Sequence, residues 1–340
     1  MTPPAIQPTK DILNDVILAF DRDAEVEKIT NALRTFARKA RKRGVVVAIS
    51  GGIDSSVSSA LCVRAFGPGK VFGLLLPEYD SSSESLKLGK IVAEHHGIEY
   101  QIEPIGPTLE AIGCYRWRDE AIHAAIPAYQ SGWRHKLVIS GGQQGLVNHF
   151  KIVVEKPDGT QLTETLGLKE YLQIVAATNY KQRIRKTVEY FHADRLNYAV
   201  VGTPNRLEYD QGFFVKNGDG SADVKPIAHL YKSQVYALAR HLGLPDAVCN
   251  TIPTTDTYSL SQGQDEFYFA LPYRQMDVAI WAMVNGKSAA ELAGYLGIDV
   301  ARAEHIYQDI RAKRSTTAPL HWKPVTIEHV IDTGQPDLSS

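Results

Sequence analysis

Residues 45–56 read Val45-Val46-Val47-Ala48-Ile49-Ser50-Gly51-Gly52-Ile53-Asp54-Ser55-Ser56. The first five are all apolar, and four of them are β-branched. A strand that is apolar on both faces is covered on both faces, which points to a parallel sheet beneath helices. Ser50-Gly51-Gly52 then turns the chain into a helix expected over 55–66. Two glycines let backbone N–H groups approach an anion without Cβ interference. The hydroxyls of Ser50, Ser55 and Ser56 add donors, and a helix N-terminus adds partial positive charge. The stretch is a cradle for phosphate. Asp54 would repel a phosphate unless a Mg²⁺ lies between them. In an ordinary βα turn, Asp54 would instead cap the helix. The string is not a Walker A loop, because the nearby Gly69-Lys70 runs into Val71, and it is not GxGxxG.

Reading outward, residues 71–76 and 99–105 are expected strands and residues 82–96 a helix. This βαβαβ rhythm predicts an α/β fold with a doubly wound, mainly parallel sheet flanked by helices. Upstream lie a Pro-rich arm with a short helix (1–22) and a helix over 23–43 stopped by Gly44. Residues 106–178 break the rhythm as an insertion. Pro157-Asp158-Gly159 signals a turn there, so 150–156 and 160–165 are expected to pair as a β-hairpin. A lid, a longer subunit interface, an altered substrate and a surface elaboration all remain open for this segment. A helix over 180–194, a strand over 198–201 and helices over 231–242, 273–284, 288–296 and 300–313 follow. The expected organisation is an arm (1–22), one domain (23–314, insertion 106–178) and a patternless tail (315–340).

Composition narrows the function classes. The 340 residues carry 37 Lys and Arg against 38 Asp and Glu, a net charge of −1. Without a basic field, neither nucleic acid nor an anionic membrane is an expected partner. Cys62, Cys114 and Cys249 are far apart and form no CxxC pair. A disulfide scaffold or cysteine-built zinc site is not expected, and the reading is a reducing, cytoplasmic compartment. No apolar run approaches the ~20 residues needed to span a bilayer.

A second block is dense in cations and carboxylates. It runs through Arg183-Ile184-Arg185, then Gly202-Thr203-Pro204-Asn205-Arg206-Leu207-Glu208, then Lys216-Asn217-Gly218-Asp219-Gly220-Ser221-Ala222-Asp223. Tyr231-Lys232-Ser233-Gln234 and Pro253-Thr254-Thr255-Asp256 complete it. Cations there suit phosphates, and Glu208 is placed to share a metal with Asp54. Arg183 and Arg185 also fit a solvated helix face, and Asp219 a turn residue.

The Ser50–Ser56 loop resembles that of the ATP pyrophosphatase superfamily, and the second block, in the same order, resembles the NAD synthetase family. The resemblance spans about residues 23–105 and 179–256. It implies that Ala48, Ser50, Gly51, Gly52, Asp54, Ser55 and Ser56 hold ATP, together with Thr203, Lys232 and Thr254. It implies Mg²⁺ on Asp54 and Glu208, and deamido-NAD on Arg183, Lys216 and Asp223. The family's C-terminal His-Lys pair, which closes on the substrate, has its nearest counterpart in His321 and Lys323, separated here by Trp322, so the resemblance implies these two for deamido-NAD as well. The implied reaction joins ammonia to deamido-NAD through an adenylate, releasing AMP and pyrophosphate. Asp54 and Lys232 would be catalytic, with Asp219 as the carboxylate that takes a proton from ammonium. Glutamine-dependent relatives carry an amidase domain ahead of the synthetase. About 44 residues precede the first strand here, too few for such a domain, so free ammonia or a separate donor is expected. The family also implies a homodimer. A paralogue that adenylates and amidates a different carboxylate is the alternative reading.

Overall fold

The computed structural model describes residues 15–140, 149–251, 257–260 and 271–328. Its elements, in chain order, begin with α1 (Arg22–Lys39), β1 (Val45–Ala48), α2 (Ile53–Phe66), β2 (Val71–Leu75), α3 (Ser83–His95) and β3 (Glu99–Ile102). The inserted segment follows, with α4 (Gly106–Ala111), α5 (Cys114–Ala125), β4 (Arg134–Ser140), β5 (His149–Glu155) and β6 (Gln161–Thr165). Then come α6 (Leu168–Leu196), β7 (Ala199–Val201), α7 (Arg206–Gln211), α8 (Lys232–His241) and α9 (Asp246–Cys249). The chain closes with α10 (Tyr273–Val284), α11 (Ala289–Leu296) and α12 (Val300–His321).

The central sheet is parallel throughout, in the order β3-β2-β1-β7. Val45, Val46 and Val47 are fully buried because the sheet is covered on both faces. Val45 and Val47 pack with α1, α2 and α8 on one face, and Val46 packs with Phe72, Val200 and Ala193 of α6 on the other. This alternation is what a two-sided parallel sheet demands of an unbroken apolar run. A further core joins α10, α11 and α12.

The insertion builds a separate antiparallel sheet, β4-β5-β6. The expected hairpin is β5–β6, and β4 is an additional strand beside it. Leu137, Ile152 and Val154 pack against Ile122 of α5 and Ile174 of α6, giving this sheet its own core. The expected boundary at 178 falls inside α6, whose front half serves the insertion and whose back half serves the central sheet.

Two other boundaries differ from expectation. Helix α1 ends at Lys39 rather than 43, because Arg41 takes the left-handed conformation (φ 54°) and Lys42 N–H returns to the Ala37 carbonyl. Helix α12 runs to His321, past the expected start of a patternless tail. It docks on α7: Arg314 pairs with Asp210 at 2.7 Å, and Thr317 Oγ1 donates to the Gln211 carbonyl at 3.3 Å. Tertiary contact, not periodicity, extends it. The expected helix within residues 11–20 is a 3₁₀ turn at Asp15–Leu18; residues 1–14 are outside the described set.

A buried polar network fastens the insertion to the sheet. Lys181 of α6 places its ammonium 2.6 Å from Asp80 and 3.0 Å from Glu78, and donates to the Thr257 carbonyl at 2.8 Å. Arg118 of α5 reaches Asp80 at 2.6 Å and Asp119 at 2.8 Å. Burial alone would raise the Asp80 carboxyl, but Lys181 and Arg118 outweigh it and hold it below its ordinary value. His135 of β4 sits beside this network, buried, with Nδ1 3.1 Å from Ser259 Oγ. Among the described residues no helix is long and apolar enough to cross a membrane.

Burial, with Arg118 nearby, pulls the His135 pKa down from 6.5 to about 3. The unfolded chain therefore takes up this proton before the folded one. The stability is intact above about pH 6.5 and is lost as pH falls toward 3, on the order of 2 kcal/mol by pH 5. We expect His135→Gln to lose less stability than the parent between pH 7.5 and pH 5 in denaturant titrations. Equal losses in the two proteins would show that His135 does not contribute to acid lability.

Candidate active site

The Ser50–Ser56 loop is shaped by its own hydroxyls. Ser55 Oγ donates to the Gly52 carbonyl at 3.0 Å and accepts from Ser50 N–H at 3.2 Å. Ser50 Oγ accepts from Gly52 N–H at 3.2 Å. Gly51 has φ 81°, and a Cβ there would lie 2.6 Å from Leu88 Cβ and 2.8 Å from Gly89 N. Only glycine allows the loop to lie this close to α3. Gly52 caps α2, so Asp54 stands in the first turn rather than at the cap. Ser56 is buried, and its hydroxyl turns back to the Gly52 carbonyl at 2.8 Å, away from the cavity wall.

The loop forms one end of a cavity of about 830 Å³. Ala48, Ser50, Gly51, Gly52, Asp54 and Ser55 line it, and so do Thr203, Glu208, Asp219 and Lys232. Thr254 is outside the described residues.

Three helix starts converge on Asp54. Lys232 opens α8, and its buried ammonium pairs with Asp54 Oδ2. Burial works against the charged Lys232, but Asp54 and Glu208 prevail and raise its pKa. Asn205 caps α7 and donates to Asp54 Oδ1 at 3.0 Å. Asn205 and Glu208 also form a capping box: Asn205 Oδ1 accepts from Glu208 N–H at 3.2 Å, and Glu208 Oε2 accepts from Asn205 N–H at 3.1 Å. The Asn-x-x-Glu spacing is thus a helix start that also aims a carboxylate into the cavity. Pro204, just ahead of it, is buried in the same wall and leaves the box intact.

Asp277 of α10 is a residue the sequence reading missed. It is fully buried and accepts from Lys232 N–H at 3.2 Å, Ser233 N–H at 2.7 Å and Ser233 Oγ at 2.6 Å. It caps α8 from another helix and so fixes where Lys232 starts. An aspartate inside an otherwise apolar helical face is the only sequence signal for it.

Asp219 is half-buried at the cavity, and Oδ1 accepts from Val215 N–H at 2.8 Å. Burial raises its carboxyl against Lys186 and Arg185. Arg185, Lys186 and Glu189 of α6 line the same region, with Lys186 2.7 Å from Glu189. On α12, Lys313 and Asp309 also line the cavity, paired at 2.6 Å.

Arg183, Lys216, Asp223, His321 and Lys323 do not line this cavity. Arg183 Nε donates to the Lys216 carbonyl at 3.3 Å, and Lys216 Nζ donates to the Pro319 carbonyl at 3.0 Å. His321 meets the rings of Tyr209 and Phe214 edge-on, 4.8 and 5.1 Å between centroids. These three form a separate outer group around the end of α12. Asp223 is exposed, and its carboxylate accepts from Val200 N–H at 2.8 Å, fastening residues 223–224 beside β7. Lys323 is exposed beyond α12.

The cysteines are buried and unpaired, and burial pushes Cys62 up to about 12 and Cys114 up to about 11. Neither supplies a thiolate near neutral pH.

Removing one partner of a buried ion pair leaves the other charge uncompensated, at a cost of about 3–5 kcal/mol. Asp54→Ala is therefore expected to melt well below the parent protein, and Asp54→Ala with Lys232→Met to recover most of the loss. Chemical denaturation of the four proteins of this cycle checks it. A single Asp54→Ala that unfolds like the parent would show that the pair carries no stability.

Comparison with known proteins fits this geometry. The family model for NAD synthase matches residues 25–137 and 146–317. The chain is 55% identical to the NH(3)-dependent NAD(+) synthetase of Rhizobium meliloti (strain 1021) over 314 residues, covering 92% of this chain and 94% of that protein. It is 52% identical to that of Mesorhizobium japonicum, covering 91% and 98%. Among solved structures, the NH3-dependent NAD synthetase of Campylobacter jejuni shares the fold, with a TM-score of 0.60 and 22% identity over 91% of this chain and 100% of that one. With the family match over most of its length and relatives above half identity, this chain belongs to the NAD synthase family.

Proposed function

We propose that this protein amidates deamido-NAD to NAD, consuming ATP and ammonia and releasing AMP and pyrophosphate through an adenylate. One observation carries the reading: Asp54, Glu208 and Lys232 meet at the cavity end formed by the glycine loop and the start of α2. The named activity of relatives that this chain matches almost end to end supports it.

A nicotinate carboxylate repels a nucleophile. Adenylation removes that charge and supplies a leaving group. The glycine loop and the start of α2 are placed to hold phosphate oxygens as charge moves onto the leaving pyrophosphate. Lys232 stays charged in its buried position and offsets the same charge. Asp54 and Glu208 are hard oxygen donors on one wall, and two carboxylates completed by substrate phosphates suit Mg²⁺. When bound there, the ion would neutralise phosphate charge and orient the triphosphate. Asp219 is the candidate to hold ammonium and take its proton, because it lines the cavity and burial raises its basicity. The outer group of Arg183, Lys216 and His321 is assigned to deamido-NAD across a homodimer interface. The compartment assigned is the cytoplasm.

The test is pyrophosphate and NAD formation from ATP, Mg²⁺ and deamido-NAD, with ammonium or glutamine. NAD is expected with ammonium and not with glutamine. Turnover only with another carboxylate, such as nicotinate mononucleotide, would overturn the substrate, and no turnover with any would overturn the reaction. In the same assay Asp219→Asn should depress NAD formation more than pyrophosphate release. Equal losses would remove Asp219 from the ammonia step.

A further inference from the structure

Helix α6 presents one continuous stripe to the cavity, and the stripe changes character along its length. Tyr171, Val175 and Thr178 come first, then Asn179 and Gln182, then the charged Arg185, Lys186 and Glu189. Steps of three and four residues keep them on one helix face. The charged end lies beside Asp219. The apolar end is closed by two rings from outside the helix, Tyr258 and Phe150 of β5.

Phe150 and Tyr171 stack on each other, with centroids 3.7 Å apart and planes within 17°. Both are half-buried and both line the cavity. They are held from behind: the Phe150 carbonyl accepts from Leu166 N–H at 2.8 Å, and the neighbouring Ile152 and Ile174 are fully buried in the insertion core. The cavity therefore has a phosphate-holding end on the central sheet and a rigid aromatic wall supplied by the insertion.

We infer that the Phe150–Tyr171 stack is a ring-binding subsite, which takes the planar heteroaromatic ring of a nucleotide whose phosphates lie toward the glycine loop. A stacked pair is already ordered, so docking a third ring costs little further side-chain freedom. Aromatic faces accept any flat heterocycle, and their removal commonly weakens a base contact by about tenfold or more. The inference rests on the proposed reaction, whose two nucleotide substrates, ATP and deamido-NAD, each carry such a ring. It gives the insertion a part in substrate recognition.

The experiment compares the parent protein with Phe150→Ala, Tyr171→Ala and Phe150→Tyr. KM and kcat are measured for ATP and for deamido-NAD, and binding of each nucleotide alone by calorimetry. Phe150→Ala should raise the KM and weaken the binding of one nucleotide by about tenfold, with kcat changed much less. Tyr171→Ala should affect the same nucleotide, and Phe150→Tyr should restore it. A shift for ATP assigns the subsite to adenine of that substrate; a shift for deamido-NAD assigns it to the dinucleotide. If both KM values and both affinities stay within about twofold of the parent, the subsite is overturned. A lower melting temperature and lower kcat at unchanged KM likewise reduce the pair to packing. A parent protein that binds both nucleotides but makes no NAD would overturn the reaction instead, and the calorimetry would still read the subsite.

Discussion

The buried pair between Lys232 and Asp54 is the constraint on which the rest of the site depends. A lysine ammonium with almost no solvent contact stays charged only with an anion against it. Satisfying it brings the start of α8 onto the first turn of α2. Asn205 then joins the start of α7 to the same carboxylate, and Asp277 holds the start of α8 from α10. Four helices that are distant in sequence are thereby referred to one side chain. The positive ends of α2, α7 and α8 meet at one cavity, a setting that favours anions.

Helix α6 supplies the second organising element. At 1.5 Å per residue its 29 residues span about 43 Å. That length lets it lie under the central sheet at one end and under the insertion sheet at the other. Lys181, near its middle, fastens the loop after β2 through Glu78 and Asp80. The loop after β2 lines the cavity with Leu76, Pro77, Ser81 and Ser82. The insertion is therefore not hung on the surface. It shares a helix and a buried ion network with the sheet, and its position relative to the glycine loop is fixed by both.

Much of this was legible in the sequence where a local rule has one answer. An apolar β-branched run before Ser-Gly-Gly can be little else than a buried parallel strand entering an anion loop, and the structure has β1, the loop and α2 there. Pro157-Asp158-Gly159 determined the β5–β6 hairpin. Strand β4 was not legible, because its partner β5 lies beyond residues 141–148 and alternation alone does not disclose pairing. The length of α12 was not legible either, since its last turns are held by contacts with α7 and the loop at Lys216. Among site residues, the glycine loop follows from its place between a strand and a helix, whereas Glu208 and Lys232 were legible as charged residues of the second block and through its resemblance to the NAD synthetase family. Asp277, Phe150 and Lys313 reach the site only through packing between elements, which no spacing within one element reveals. Ser56 shows the converse: a hydroxyl in the right string is turned inward by the helix that follows.

Charge balance links the cavity to its proposed ligands. Among the described residues its wall carries four cations, Arg185, Lys186, Lys232 and Lys313, and five carboxylates, Asp54, Glu189, Glu208, Asp219 and Asp309. Fully ionised, the wall is one charge negative, which is an unexpected lining for a site that is to take a triphosphate and a dinucleotide. Burial lessens the deficit at one end, because Glu189 and Asp219 both have raised pKa values. At the other end Asp54 and Glu208 remain, and Lys232 offsets only one of them. A polyphosphate brought to that end meets a local excess of negative charge unless a cation accompanies it. This is the physical reason for proposing a divalent ion at these two carboxylates. The loop carries neutral groups, serine hydroxyls and backbone N–H groups, where Walker-type sites place a lysine within the loop itself. The lysine here comes from another helix and is held by Asp54.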